Sequence, residues 1–128
     1  MSPVPRAVLS ATTLDSPDPQ RLAGFWRELL GWRVVEDSEG WVLLRPHGDG
    51  AGAGLAFQRE RLHRPPAWPA RAGEQTQQAH LDVEVDDLAA AAERAVALGA
   101  RLQEHQPQQD VRVLRDPDGH PFCLFTRA

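Results

Sequence analysis

The 128-residue sequence lacks lysine, tyrosine, isoleucine and asparagine, and it has one cysteine, Cys123. Without lysine, a catalytic Schiff base or a lysine-bound pyridoxal phosphate is excluded. Without tyrosine, no phenol is available as an acid or a base. A single cysteine cannot form an intramolecular disulfide, which is typical of a reducing cytoplasm. The four absent residue types have A/T-rich codons, which indicates a bacterial genome of high GC content.

Acidic residues outnumber basic ones, and the formal net charge is −4. All 14 basic residues are arginine. This balance argues against a nucleic-acid-binding surface, which requires a basic face. No run of about 18 apolar residues is present, and the N-terminus lacks the apolar core of a signal peptide. We therefore expect a cytoplasmic protein of one domain with no nucleic-acid or membrane partner.

An internal repeat is the clearest feature that the sequence does contain. Residues 18–36 align with residues 86–104 at a constant separation of 68 positions. A period this long exceeds that of a solenoid unit, so it indicates two copies of one small module. The identical pairs are Asp18/Asp86, Ala23/Ala91, Leu30/Leu98, Gly31/Gly99, Arg33/Arg101 and Glu36/Glu104.

Each copy is predicted to have the same order of elements. Asp18 and Asp86 or Asp87 are typical helix N-caps, and Gly31 and Gly99 end the two apolar-faced helices. Residues 48–54 are glycine-rich and predict a flexible turn, and the proline-rich residues 61–76 predict a connector. The strands are predicted at 7–14, 32–36, 41–45, 55–58, 79–85, 101–104, 111–114 and 121–125.

This pattern predicts an α+β fold with two tandem βαβββ modules that together form a cup-shaped mixed sheet. Module 1 is expected at about residues 5–60 and module 2 at about 77–128, within a single domain 1–128.

Three stretches resemble one protein superfamily in the correct order. They are the helix–strand segment 22–32, LAGFWRELLGW, the strand 80–86, HLDVEVD, and the closing segment 116–124, DPDGHPFCL. Together they are similar to the vicinal-oxygen-chelate superfamily (glyoxalase, bleomycin resistance and dioxygenase proteins), and more narrowly to its actinobacterial glyoxalase-like branch. The resemblance implies the paired βαβββ fold, a homodimer and, in metal-dependent members, four ligands that hold a divalent ion.

The implied ligand positions fall on one good metal ligand and three poor ones. His80 matches, whereas the other positions fall on Thr12 or Ala11, on Gln58 and on Cys123. Magnesium, manganese and ferrous ions favour oxygen ligands, and catalytic sites normally need three sound protein ligands. We therefore expect no intact metal quartet and no firmly bound cofactor, with a weakly bound divalent metal as the alternative.

Strand alternation places His80, Asp82 and Glu84 on one face, which we expect to line the cup. The alternative is that these three residues have no functional role and form a solvated polar ladder that pairs with arginines such as Arg112. Cys123 is expected in the pocket wall, and Trp68 in the connector is either a lid over a planar ligand or a loop anchor. The predicted ligand-binding residues are Thr12, Gln58, Trp68, His80, Asp82, Glu84, Arg112 and Cys123.

Three functions remain open from the sequence. The first is binding of a small apolar or aromatic metabolite or antibiotic in the cup without a tightly bound metal. The second is a lyase or isomerase in which His80 or a nearby carboxylate is the general base. The third is a dimeric module whose cup is filled by its own side chains.

Overall fold

The computed structural model describes residues 4–48 and 52–127, which form two four-stranded mixed sheets with one α-helix each. The predicted α+β class and the βαβββ order of both halves are confirmed. Residues 49–51 of the predicted 48–54 turn lie outside the described residues. The elements are β1 (Ala11–Ser16), α1 (Pro19–Leu30), β2 (Arg33–Ser38), β3 (Trp41–Arg45), β4 (Gly54–Arg59), β5 (Leu81–Glu84), α2 (Leu88–Leu98), β6 (Arg101–Leu102), β7 (Val111–Arg115) and β8 (Pro121–Phe125).

The two sheets have the same topology. The strand order is β1-β4-β3-β2 in the first sheet and β5-β8-β7-β6 in the second. In each sheet the outer first strand runs parallel to the last strand of its module, and the remaining pairs are antiparallel. A parallel pair needs a crossover connection, and each module places its helix in that crossover.

The helices begin and end where their sequence signals predict. The Asp18 side chain accepts a hydrogen bond from the backbone N–H of Arg21, and of the two aspartates before α2 it is Asp87 that caps the helix. Gly31 ends α1 with φ of +69°, a left-handed conformation that favours glycine. Capping by these aspartates and glycines therefore determines where both helices begin and end.

Several strand boundaries differ from the prediction because pairing, not local composition, determines them. The first strand begins at Ala11 and extends to Ser16, opposite Gly54–Arg59 of β4. Gly54, assigned to the turn by its composition, belongs to β4, where an added Cβ would lie 2.6 Å from the Leu44 carbonyl oxygen. The strand predicted at 101–104 keeps only two residues, since only these two pair with β7.

One hydrophobic core joins the two modules. Trp26 of α1 is fully buried and packs edge-on against Phe25 and against Phe122 of β8. The predicted core role of Trp26 is confirmed. The core holds α1 and the helix-facing sides of both sheets together, which leaves the opposite sheet faces to form cavities.

Candidate functional site

Strand pairing in the second sheet brings the candidate polar residues together. Asp82 of β5 lies opposite Cys123 of β8, and Cys123 lies opposite Val113 of β7. Residues paired in this way project from the same face of a sheet. The neighbouring row, Val83 and Leu124, packs toward the core. Alternation along β5 therefore turns Asp82 away from the helices, as the sequence predicts.

His80 immediately precedes β5 and is held by two neighbours. Its Nε2 atom lies 3.1 Å from the Asp82 Oδ1 atom. Its ring stacks on Trp68 of the connector, with 4.8 Å between ring centroids and 23° between planes. The stacking and the short contact with Asp82 together restrict the orientation of the ring. Trp68 thus contacts a candidate catalytic side chain directly.

Cys123 is 5% exposed, and the pKa of its thiol is raised to about 11. Burial is the largest cause, followed by the negative charge of Asp82 and by a hydrogen bond to that carboxylate. Both effects disfavour the thiolate, which is the nucleophilic form of cysteine. At neutral pH Cys123 is therefore a protonated wall residue, not a nucleophile.

These residues line a cavity of about 660 Å³, which we call the His80 cavity. Its polar side consists of His80, Asp82 and Cys123. Its apolar side is formed by Trp68 and by valine and phenylalanine side chains of the second sheet. The remaining lining residues are Pro107, Gln108, Asp110, Val111, Val113, Phe125 and Arg127. Among the residues that the structure describes, the connector and the second module supply this lining.

His80, Asp82 and Cys123 each offer a ligand atom, and these atoms all lie within 4.8 Å of one another. One nitrogen, one oxygen and one sulfur suit a borderline ion such as Zn²⁺ and not the hard ions Mg²⁺ or Mn²⁺. A sulfur ligand must lose its proton, and the raised pKa of Cys123 opposes that loss. The residues present therefore do not fit the hard ion held by an oxygen-rich quartet.

The matching row of the first sheet carries no comparable group. The row Asp82–Cys123–Val113 corresponds in topology to Thr13–Ala56–Leu43. Threonine, alanine and leucine offer neither a strong base nor a strong metal ligand. The polar cluster therefore belongs to the second copy of the repeat only.

Two of the predicted ligand-binding residues lie elsewhere. Arg112 does not line the His80 cavity, because it pairs with Leu124 in the row that faces the core side of the sheet. Its guanidinium donates to the backbone oxygens of Gln109 and Val111. Thr12 is not the counterpart of His80. The strands β1 and β5 correspond at a separation one position greater than the 68 positions that separate the two helices, so Thr12 corresponds to Leu81. Thr12 instead lines a second cavity of about 330 Å³, which also contacts His80.

Gln58 and Glu84 lie on the expected sheet faces but have partners of their own. Gln58 donates to the Asp15 carboxylate over 3.2 Å, and Glu84 accepts from Arg127 over 3.1 Å. Neither belongs to the lining of the His80 cavity. The polar ladder predicted along β5 thus divides into an inner part at His80 and Asp82 and an outer ion pair at Glu84.

The structure also reveals a buried network that sequence reasoning missed. Asp116 is fully buried; its carboxylate accepts from the indole N–H of Trp26 over 3.0 Å and lies 2.8 Å from Nδ1 of His120. The His120 ring stacks on His63 of the connector with 4.6 Å between centroids. His63 and His120 carried no functional signal in the sequence, although His120 belongs to the closing DPDGH motif. This network links α1, the connector and the β7–β8 turn.

No helix among the described residues is long and apolar enough to cross a membrane.

Comparison with known proteins gives a family model described as glyoxalase-like domain, which matches residues 11–125. A glyoxalase/bleomycin resistance protein/dioxygenase family enzyme from Burkholderia phytofirmans is similar in structure, with a TM-score of 0.71, 20% identity, and coverage of 95% of this chain and 100% of that one. A fosfomycin resistance protein from Mesorhizobium loti has a TM-score of 0.66 and 20% identity, covering 94% and 91%.

A glyoxalase/bleomycin resistance protein from Albidiferax ferrireducens has a TM-score of 0.65 and 18% identity, with coverage of 93% and 98%. At these identities the likeness establishes the fold alone. No curated protein sequence matches this chain significantly.

Proposed function

The chain belongs to the glyoxalase-like domain family, and on that premise we propose that it binds a small apolar or aromatic molecule in the His80 cavity. The observation that carries the proposal is the Trp68–His80 stack beside Asp82 at the cavity wall. An apolar lining with a few convergent polar groups is the usual character of a small-molecule site. A metabolite or an antibiotic is the class of ligand that we propose, and the sequence pattern favours the actinobacterial branch of the family.

Each wall of the cavity has a distinct task in this proposal. Trp68 supplies apolar aromatic surface beside the His80 ring, which an aromatic ligand group contacts. The His80 imidazole and the Asp82 carboxylate supply hydrogen bonds that orient a polar substituent. Cys123 and Val113 close the floor without adding charge, since the thiol stays protonated at neutral pH.

Binding in this form does not need a tightly bound metal. Metal-dependent members of the family use a divalent ion to hold vicinal substrate oxygens and to stabilise an enolate. The nitrogen, oxygen and sulfur donors of this cavity are a poor match for a hard ion. Elemental analysis of the purified protein checks this point, because stoichiometric metal that EDTA removes together with ligand binding would overturn it.

A thermal-shift screen of aromatic metabolites and antibiotics, run on EDTA-treated protein, tests the main proposal. Trp68→Ala should weaken a hit about five- to tenfold, since aromatic stacking contributes about 1 kcal/mol. Trp41→Ala is the matched control, because Trp41 lies on the first sheet and donates to Glu36. Hits that respond equally to both substitutions, or that ignore Trp68→Ala and His80→Ala, would contradict the assignment of the site.

A second candidate is a lyase or isomerase, favoured by the 3.1 Å contact between His80 and Asp82. A carboxylate in this position orients the imidazole for proton abstraction next to a carbonyl group. His80→Ala should then abolish turnover of a bound ligand while leaving binding within a few-fold. Unchanged turnover in His80→Ala would exclude His80 as the base.

A further inference from the structure

Three arginines converge on a cleft that the proposed function does not use. Arg71 belongs to the connector, Arg101 to β6 and Arg115 to β7, and together with connector prolines they line a cleft of about 600 Å³. Arg101 and Arg115 are direct neighbours across the β6–β7 pair. We call this group the arginine cleft. Like charges directly opposite each other in a sheet are destabilising, so their placement requires an explanation.

Neutralising partners are few at this cleft. Arg71 approaches Glu74 at 4.0 Å, but both side chains are largely exposed, so this ion pair contributes little. Arg115 donates to Gln103 Oε1 over 3.0 Å and to the Gly119 carbonyl over 2.7 Å, and both acceptors are uncharged. Two hydrogen bonds thus fix the guanidinium of Arg115 without cancelling its charge.

The pKa of Arg115 is lowered, as expected for a partly buried guanidinium that lies close to two other arginines. Burial lowers the pKa of its guanidinium, and the positive charges of Arg101 and Arg71 lower it further, while the Asp116 carboxylate acts in the opposite direction. The effect of Asp116 is the smallest of the four. Repulsion between Arg115 and the two other arginines therefore persists in the ligand-free protein, and an anion would relieve it.

The first module provides an internal comparison. Its paired arginines, Arg33 and Arg45, occupy the same strand positions as Arg101 and Arg115. Arg45 donates to the backbone and the hydroxyl oxygen of Ser10. The connector adds Arg71 and the prolines at the second pair. The third arginine beside the second pair therefore comes from the connector and not from the repeat.

We propose that the arginine cleft binds a dianionic phosphoryl or phosphonyl group. The planar guanidinium matches such oxyanions with paired hydrogen bonds, and three donors from different elements surround a concave space. Pro65, Pro66, Pro69 and Trp68 form the apolar side of the cleft, so a phosphomonoester of an apolar group has more contacts there than free phosphate. This site is separate from the polar groups at His80.

Isothermal titration calorimetry of the full chain with inorganic phosphate and with phenyl phosphate, at constant ionic strength, tests the proposal. Saturable binding of either anion is expected. Arg101→Gln and Arg71→Gln should each weaken it about five- to tenfold, since both lose a charge-assisted contact at an exposed site. Arg33→Gln, the matched position in the first module, should change the affinity less than about twofold.

The two anions distinguish the source of the group. Tighter binding of phenyl phosphate assigns the cleft to an organic phosphate, and equal binding assigns it to a free anion; both support the phosphoryl site. Absence of saturable binding by both anions overturns it. An equal loss in Arg33→Gln and Arg101→Gln also overturns it, because the effect would then reflect net charge. Circular dichroism of each variant separates these outcomes from loss of folding.

Discussion

Replacement of Asp82 by asparagine should make the single cysteine more reactive. Cys123 owes its pKa of about 11 to burial first and to Asp82 second, through charge and through a hydrogen bond. Asparagine has the same size as aspartate, so burial and access stay constant while the negative charge is removed. We therefore expect the pKa of Cys123 to fall in Asp82→Asn toward the value that burial alone would give.

The size of the effect follows from the thiolate fraction. Asp82 supplies the second and third causes of the raised pKa, after burial. Each unit by which the substitution lowers the pKa raises the thiolate fraction about tenfold at any pH well below the pKa. Thiolate nucleophilicity decreases as the pKa falls, so the alkylation rate should increase only about threefold to fourfold for each unit.

The composition of the chain makes the measurement clean. Cys123 is the only cysteine, so iodoacetamide labelling followed by mass spectrometry reports one site. The absence of tyrosine also means that the ultraviolet absorbance of the thiolate can be titrated without interference from phenolate. Glu84→Gln is the matched control, because Glu84 lies on the same strand and pairs with Arg127.

An unchanged labelling rate in Asp82→Asn would refute the reasoning, since it would mean that the carboxylate does not act on the thiol. An equal increase in Glu84→Gln would refute it as well, because the effect would then come from the general charge of the sheet face.

Three further predictions concern stability. Because the folded-state pKa of Cys123 is raised from 9.0 to about 11, the stability present below pH 9 should be lost as pH rises through that interval, and urea denaturation at several pH values measures the loss. Asp116→Asn should lower the free energy of unfolding by about 2–4 kcal/mol, because it removes a buried charge that accepts from Trp26. Gly119→Ala should destabilise the protein by about 1–3 kcal/mol, since φ is +87° and the new Cβ would lie 2.6 Å from Pro65.

Each of these predictions has a control within the chain. Cys123→Ser should remove the alkaline loss attributed to the thiol, and persistence of that loss would contradict the assignment. Asp37→Asn, at an exposed position, should change stability by less than about 0.5 kcal/mol. Gly24→Ala, in the interior of α1 with no atom within 4 Å of the new Cβ, should stabilise by about 0.5–1 kcal/mol. A loss at Gly24 equal to that at Gly119 would contradict the steric argument.

Local chemistry made the scaffold predictable. The caps at Asp18 and Gly31 act on neighbouring backbone groups, so both helix ends could be read from the sequence. Alternation similarly placed His80 and Asp82 on one face, although the strand ends depended on distant partners. The fold therefore followed from signals that act over a few residues, repeated twice.

The site depended on contacts that no local pattern encodes. Trp68 stacks on His80 only because the aperiodic connector returns to the second sheet. Asp116 lies in a turn motif that ordinarily favours exposure, yet Trp26, 90 positions earlier, buries it. The position of Arg112 has the opposite origin, because its charge suggested a place in the cavity wall, whereas strand register pairs it with Leu124 on the core side of the sheet.

Trp68 lines both the His80 cavity and the arginine cleft. A side chain shared by two cavities couples them, because a ligand that displaces it from one cavity also changes the lining of the other. Occupancy of one cavity is therefore expected to affect binding in the other. A single substitution at Trp68 would therefore alter ligand selection on both sides at once.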